Sequence, residues 1–414
     1  MTDDPKPFPL PCRVCGGPLE PFLDLGRQPI SQAYPDPARP ARDEFFFHLA
    51  VGSCADCTMV QLLEEVPRQL MFHGGYPFYS SGSSVMREYF AGVARHFMDT
   101  EATGADPFIV EIGCNDGVML RTVKDAGVRH LGFEPSGGVA ETARSAGVRV
   151  RVDFFQESSA KEVRAEDGPA DVIYAANTLC HIPYLDSVFR GVDALLAENG
   201  VFVFEDPYLG DVITKTSFDQ IYDEHYYLWS AHSVHEAAAR FGFALIDVHP
   251  LPVHGGEIRF TLARTGARTP SDAVTALLAE ERRRGLTEPA TLRGFADNVL
   301  RIRDDLVRTL TELRDAGKRV IGYGATAKSA TVYNFCGIGP DLVPFVCDST
   351  PEKHGLLTPG SHIPIRPAEA FADPYPDYAL LLAWNHAEEI MAKEQEFTAA
   401  GGRWLLYVPD VHIV

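Results

Sequence analysis

The sequence predicts an α/β protein in three parts: a small cysteine-bearing N-terminal module followed by two doubly wound parallel sheets. Three observations carry this. Four of the eight cysteines form two Cys-x-x-Cys pairs, Cys12/Cys15 and Cys54/Cys57. From Phe108 onward, short apolar runs alternate with helical segments, and a second such series starts at Arg319. Short buried strands separated by helices are the pattern of a parallel sheet covered on both faces. A length of 414 residues leaves room for two or three domains, and the shifts in pattern divide the chain at 1–75, 76–268 and 269–414.

Composition sets outer limits. Apolar residues make up 45% and charged residues 23%, enough to build sizeable cores and to exclude wholesale disorder. Asp and Glu outnumber Lys and Arg by 57 to 37, a net charge of −20 that repels phosphate backbones and anionic lipid. Neither nucleic acid nor membrane is expected as a partner, and no protein partner is implied. A small anion would need its own basic or N–H-lined pocket. MTDDPKPFPL has no basic head followed by an apolar stretch, so no signal peptide is expected. The longest apolar run, Tyr378 to Trp384, is too short to span a bilayer. A soluble, cytoplasmic protein is the expectation.

In the first part, two Cys-x-x-Cys knuckles can direct four thiolates at one zinc ion. A redox site needs one pair, and a cytosolic disulfide framework is disfavoured. Four protein ligands leave no open position, so the predicted zinc on Cys12, Cys15, Cys54 and Cys57 is structural. The stretch between Cys15 and Cys54 exceeds the usual ribbon loop and must be a folded excursion. Dense Pro and Gly from Pro5 to Pro40 predict a loop-rich module with little core of its own. Cys114, Cys180, Cys336 and Cys347 sit singly in apolar stretches, as small core residues do. After the turn-rich run Phe72–Met86, an amphipathic helix is predicted with Ser83 or Ser84 as its cap.

The first sheet is read from FIVEIG, HLGFEP, VRVRVDFF, ADVIYAANTL and GVFVFEDP, closed by a hairpin of FALIDVHPLP and EIRFTLART. VEIGCNDG, Val110 to Gly117, follows a strand and opens a helix, where glycines allow a tight turn and free N–H groups face a ligand. Glu134 ends the next strand, placed to accept two ribose hydroxyls. Glu111, Gly113, Glu134, Asp153-Phe154 and Asn177 all fall at carboxyl ends of strands, where open parallel sheets bind ligands. This set resembles the class I S-adenosylmethionine-dependent methyltransferases. The resemblance implies that Gly113 flanks the methionine moiety, that Glu134 binds the ribose, and that Asp153 and Phe154 frame the adenine. Asn115 stands where that family commonly has Gly, a departure in the contact geometry.

After the last parallel strand, Tyr222, Glu224 and His225 crowd into a turn-rich stretch, and His181 follows another strand tip on the same side. A base of suitable pKa, a carboxylate able to orient it or contact substrate, and a phenol able to bond an oxyanion make a chemical set. The Arg- and Glu-rich stretch from Ser271 to Lys318 is read as two solvated linking helices.

The second series runs RVIGYGATAKSATVYNF, LVPFVCDST, HIPIRP, YALLLAWN, WLLYV. Its turn carries Gly322, Gly324 and Lys328, able to hold an anion by backbone N–H groups, a helix dipole and one cation. The spacing is not a Walker motif. It suits NAD about as well as another phosphate, and Asp348 at the next strand tip keeps NAD open.

The four-cysteine module, YSSGSS, VEIGCNDG, FEDPYLG, YDEHYYLWS, HGGEIR and GYGATAKS, in this order over the whole chain, resemble the sugar C-methyltransferases of deoxysugar antibiotic pathways. The likeness is to those of the tetronitrose kind, which methylate C-3′ of a dTDP-3-amino-4-keto-2,3,6-trideoxyhexose. It implies a Rossmann-like C-terminal part that holds the diphosphate of a dTDP-sugar at Gly322, Gly324 and Lys328. It also implies an enolate made by His225 as base, with Tyr222 as partner of the enolate oxygen. His181, Glu224 and Tyr76 would position the sugar. Two rivals remain: a zinc-containing NAD-dependent oxidoreductase of a nucleotide sugar, and a non-catalytic S-adenosylmethionine-binding protein.

Overall fold

The computed structural model describes residues 11–38, 44–72 and 78–414, folded around three sheets. The first is an antiparallel meander of β1 (Leu19–Pro29), β2 (Phe46–Cys54) and β3 (Val60–Leu62). Its fourth strand, Tyr227–Leu228 (β9 in chain order), comes from the middle of the chain.

The expectation of a loop-rich module with little core is corrected here. Leu19, Leu23 and Leu25 of β1 and Phe47, Leu49 and Val51 of β2 are all buried. Apolar spacing at period two outweighed the Pro and Gly signals. Gly26, with φ of +72°, sits in an irregularity of the β1–β2 register, where glycine serves a bulge and does not end a strand.

The second sheet contains β4 (Phe108–Ile112), β5 (Arg129–Phe133), β6 (Val150–Arg151), β7 (Ala170–Ala176), β8 (Leu196–Pro207), β10 (Phe243–Leu251) and β11 (Glu257–Arg264). Their order is β10-β11-β8-β7-β4-β5-β6. Strands β4 to β8 pair in parallel, and β11 runs antiparallel to both β8 and β10. Strand order reverses at β4, which makes its carboxyl end the switch point where such sheets bind ligands. The helix Ser84–Thr100 is capped by Ser83, whose hydroxyl accepts from the Met86 N–H at 3.4 Å, and it buries Phe90, Val93 and Phe97.

The third sheet is β12 (Val320–Tyr323), β13 (Val346–Asp348), β14 (Ile365–Pro367), β15 (Tyr378–Leu381), β16 (Arg403–Leu406) and β17 (His412–Ile413). The order β14-β13-β12-β15-β16-β17 again reverses at its first strand, and only β17 is antiparallel.

The two linking helices, Asp272–Arg284 and Pro289–Asp315, are not solvated spacers. The longer one buries Leu292, Phe295, Val299, Ile302, Leu306 and Leu310, one stripe at helical spacing, and sets Phe295 edge-on to Phe22 of β1 at 6.5 Å. Glu281 of the shorter is 2% exposed. It accepts from the Tyr208 hydroxyl, the Ala231 and His232 N–H groups, and His232 Nδ1, and so caps the helix Ala231–Arg240. Among the described residues, no helix is long and apolar enough to cross a membrane.

The parts are stitched together by hydrogen bonds. Asp219 accepts from Trp384 Nε1 at 2.6 Å and the Tyr407 hydroxyl at 2.7 Å, and Thr331 Oγ1 donates to the Ile221 carbonyl. Tyr34 of the first part donates to the Ala325 carbonyl beside the β12 turn.

Candidate active site and zinc centre

In the N-terminal module the four cysteine sulfurs lie within 4.8 Å of one another. Cys12 and Cys57 sulfurs are 3.6 Å apart, and Cys15 and Cys54 sulfurs 3.4 Å. A disulfide needs about 2.05 Å, whereas thiolates at about 2.3 Å from a tetrahedral zinc stand roughly 3.8 Å apart. The set therefore fits zinc. The hydrogen bond between Cys12 and Cys57 holds the Cys12 thiol below the usual cysteine range and pushes that of Cys57 up, and burial raises Cys54.

One cleft of about 900 Å³ runs between the two parallel sheets, lined from the β4 turn at one end and the β12 turn at the other. At the β4 end, Gly113 has φ of +70°, and a Cβ there would fall 2.4 Å from Thr178 Oγ1, so only glycine fits. Asn115 also has positive φ (+50°), tolerable for Asn. Its side chain accepts from the Ser80 N–H at 2.9 Å and donates to the Phe78 carbonyl at 3.1 Å, tying the segment before the capped helix to the turn. These two hydrogen bonds are what the Asn115 side chain adds, and a glycine there could make neither.

Glu134 is 6% exposed and accepts from the N–H groups of Asn115 (3.0 Å) and Ser136 (2.7 Å). Burial raises its pKa against those two bonds. Asp153, Phe154 and Asn177 also line the cleft. Glu111 does not: it is buried beneath the turn with Oε2 lacking a hydrogen bond, its pKa pushed well up by burial and by Asp116, Glu134 and Glu205. The Gly113 cradle, the Glu134 carboxylate after β5 and the Phe154 ring beyond β6 line one end of the cleft with groups whose chemistry fits S-adenosylmethionine.

At the middle of the cleft, Tyr222, Glu224, His225 and His181 come together; Tyr76 lies outside the described residues. His225 Nδ1 is 2.7 Å from the Gln220 carbonyl, which only accepts, so Nδ1 carries the proton. Nε2 is then an acceptor, 3.0 Å from the Tyr222 hydroxyl. The group that orients His225 is thus a backbone carbonyl. Glu224 does a different job in the contact shown, accepting from Gln32 Nε2 of the N-terminal part at 3.2 Å. His181 stacks on His225 at 5.3 Å, and Phe72 stacks on His181 at 5.7 Å. Burial drives His225 well below the ordinary histidine value, with His181 and Lys328 adding to the shift, and takes His181 down to about 3.

At the far end, Gly324 and Lys328 line the cleft, but Gly322 does not. Gly322 lies within β12, where a Cβ would meet the Tyr333 hydroxyl at 2.5 Å, so it permits strand–helix packing. Asp348 accepts from the Ala325 N–H of the turn itself at 2.8 Å. Lys328 Nζ is 3.4 Å from the His254 carbonyl, which also accepts from Gln220 Nε2 at 2.8 Å. Lys328 is therefore joined through the His254 carbonyl and Gln220 to His225. Sequence reasoning missed Gln220 and Gln32. Gln220 lay inside the run singled out for Tyr222 and His225, but its amide carried no motif; Gln32 had no signal at all.

Comparisons with known proteins follow the same three parts. Family models match residues 12–72 (a zinc-binding domain so described provisionally), 85–248 (a methyltransferase domain) and 252–409 (the C-terminal domain of C-methyltransferases). The chain is 33% identical over 407 residues to the C-methyltransferase NovU of Streptomyces niveus, covering 97% of this chain and 96% of that one. It is 25% identical over 174 residues to the sterol 4-C-methyltransferase strm-1 of Caenorhabditis elegans, covering 36% and 50% respectively. Among solved structures, a SAM-dependent methyltransferase from Anabaena variabilis matches with a TM-score of 0.35 and 17% identity, over 44% of this chain and 86% of that one.

Proposed function

Because the chain belongs to the family of S-adenosylmethionine-dependent C-methyltransferases, we propose that it methylates C-3′ of a dTDP-3-amino-4-keto-2,3,6-trideoxyhexose through a base-generated enolate. The setting of this reaction is cytoplasmic deoxysugar biosynthesis for an antibiotic. S-adenosylmethionine is its cofactor and zinc its metal. Under this reading, residues 1–75, 76–268 and 269–414 are the zinc, methyl-donor and nucleotide-sugar parts.

The observation that carries the mechanism is the chain Tyr222–His225–Gln220 set in one cleft with both glycine-bearing turns. A carbon beside a ketone becomes nucleophilic only after losing its proton. His225 Nε2 is the unprotonated nitrogen able to take it, once the Tyr222 hydroxyl that it accepts from turns to the sugar's keto oxygen. The C–H electron pair then passes into the enolate, whose oxygen keeps the Tyr222 hydrogen bond, and the proton rests on Nε2. The depressed pKa of His225 opposes this step. The imidazolium and the enolate form together as opposite charges in a buried site, however, and their attraction offsets that cost.

His181, Glu224 and Tyr76 position the sugar, while Gly324 and Lys328 hold the diphosphate. Gly113, Asn115, Glu134, Asp153, Phe154 and Asn177 hold the cofactor, which supplies an electrophilic methyl group on its sulfonium. Alignment of that methyl with the carbanion accounts for much of the acceleration.

The test is incubation of the 4-keto sugar nucleotide with S-adenosylmethionine, followed by intact-mass and fragment analysis. A single added methyl on carbon is expected, together with exchange of the sugar's α-proton in D₂O when methyl donor is withheld. Methylation on oxygen or nitrogen, or turnover without any such exchange, sinks the enolate reading.

A further inference from the structure

The zinc module reaches the cofactor end of the cleft through one side chain. Arg68 opens the short helix Arg68–Met71, eleven residues after Cys57. Val66 and Met71, on either side of it, are buried in the core shared with the module. The Arg68 guanidinium lies over two rings of the central part: its Cζ is 4.0 Å from the Phe154 centroid and 4.6 Å from that of Tyr184. Both rings and Arg68 itself line the cleft beside Asp153. Four residues on, Phe72 stacks on His181, so one short segment touches both the cofactor end and the reaction centre.

A guanidinium stacks as a plane on an aromatic face, which an ammonium cannot do, and the attraction grows as water is excluded. Among the described residues, no carboxylate forms an ion pair with this guanidinium. What holds it in the structure is the two rings, the Tyr184 side chain also engaging it by a hydrogen bond, and the module that carries it. The rings gain a fixed neighbour in return. Phe154 stands three residues beyond the short strand β6, and Tyr184 precedes the helix Leu185–Leu195; neither position is held by a strand ladder.

We propose that Arg68 is a positioning residue of the methyl-donor site, clamping Phe154 and Tyr184 so that the adenine wall is assembled only when the zinc module is docked. The zinc centre then acts on catalysis at a distance: it fixes the segment that carries the clamp. The proposal rests on the reading of Phe154 as the adenine wall.

The test is calorimetric titration of the full chain with S-adenosylhomocysteine and with 5′-methylthioadenosine, which share the adenosine end. Zinc content and melting temperature are measured on every variant. Arg68→Ala is expected to raise both dissociation constants by a similar factor, about 3- to 30-fold. Arg68→Lys, which keeps the cation, should recover part of that loss, and Arg68→Met, which keeps the apolar stem, should recover less. Zinc content and the affinity for dTDP should stay at the wild-type value. Unchanged affinity for both adenosine ligands in zinc-loaded Arg68→Ala overturns the proposal. So does equal weakening of adenosine and dTDP binding in all three variants, which is what a docking contact alone gives. Wild-type protein that binds neither adenosine ligand removes the cofactor reading itself, and the proposal with it.

Discussion

In the proposed reaction, His225 is the residue on which the chemistry turns. With Nδ1–H spent on the Gln220 carbonyl, only Nε2 can act as a base. His225→Asn is expected to abolish turnover and α-proton exchange, a loss of roughly 10²–10⁴-fold for a general base. His181→Asn should retain measurable activity, and the reverse ranking in the exchange assay would exchange the two roles. Because burial lowers the His225 pKa, the acid limb of kcat/KM should lie below the ordinary histidine value of about 6.5. Stability follows the same logic. The unfolded chain takes up protons as pH falls below about 6.5, while folded His181 refuses one until pH nears 3. Its contribution is thus complete above that window and lost across it as pH falls. The gap in melting temperature between wild type and His181→Asn should therefore shrink as pH is lowered from 7 to 4. Glu134→Ala should weaken S-adenosylhomocysteine binding by about 1.5–3 kcal/mol, the worth of hydrogen bonds to a charged group.

At the scale of elements, the turns after β4 and β12 look alike in sequence but are built differently. The β4 turn folds its glycine under Thr178, and the positive φ and the 2.4 Å approach both exclude a side chain. Gly113→Ala is expected to cost cofactor affinity while zinc content stays at one per chain; calorimetry and metal analysis of the same sample check this. In the β12 turn, Gly322 serves packing, Gly324 and Lys328 face the cleft, and Asp348 is engaged by the turn's own backbone. An acidic residue at a strand tip was the feature that kept NAD open, and the Ala325 N–H occupies one of its oxygens. Helix boundaries were legible where a cap had a mechanism, as at Ser83. Charge-rich helices were not, because a buried stripe such as Phe295, Val299 and Ile302 needs a partner surface that lies elsewhere in the chain.

Across the whole molecule, the three parts share one cleft. Lys328, in the last part, meets the carbonyl of His254 in the middle part, which also holds Gln220. Lys328→Ala is therefore expected to raise the KM for nucleotide sugar and also to lower kcat, a combined effect that two independent binding sites would not give. Steady-state kinetics with S-adenosylmethionine saturating measure it. Removing zinc, by a strong chelator or by Cys54→Ser, should lower the melting temperature, because metal binding to four thiolates is coupled to folding. It should unsettle the central part as well, since β9 completes the N-terminal sheet. Unfolding confined to residues 11–72, with the rest of the protein unchanged by hydrogen exchange, contradicts this.

The sequence by itself determined the zinc ligands, the two parallel sheets, the glycine turn after β4 and the crowding of Tyr222, Glu224 and His225. Each of these is written in local spacing: two residues between cysteines, short apolar runs alternating with helical segments, a glycine between strand and helix. Tertiary structure alone decided what those groups do to one another. Gln220 and Gln32 reach the site from different parts of the chain, with no pattern to mark them. The proton on His225 Nδ1 is fixed by a backbone carbonyl, which every residue possesses. The depressed pKa values of His181 and His225 come from burial, a property of the assembled cleft that no single segment carries.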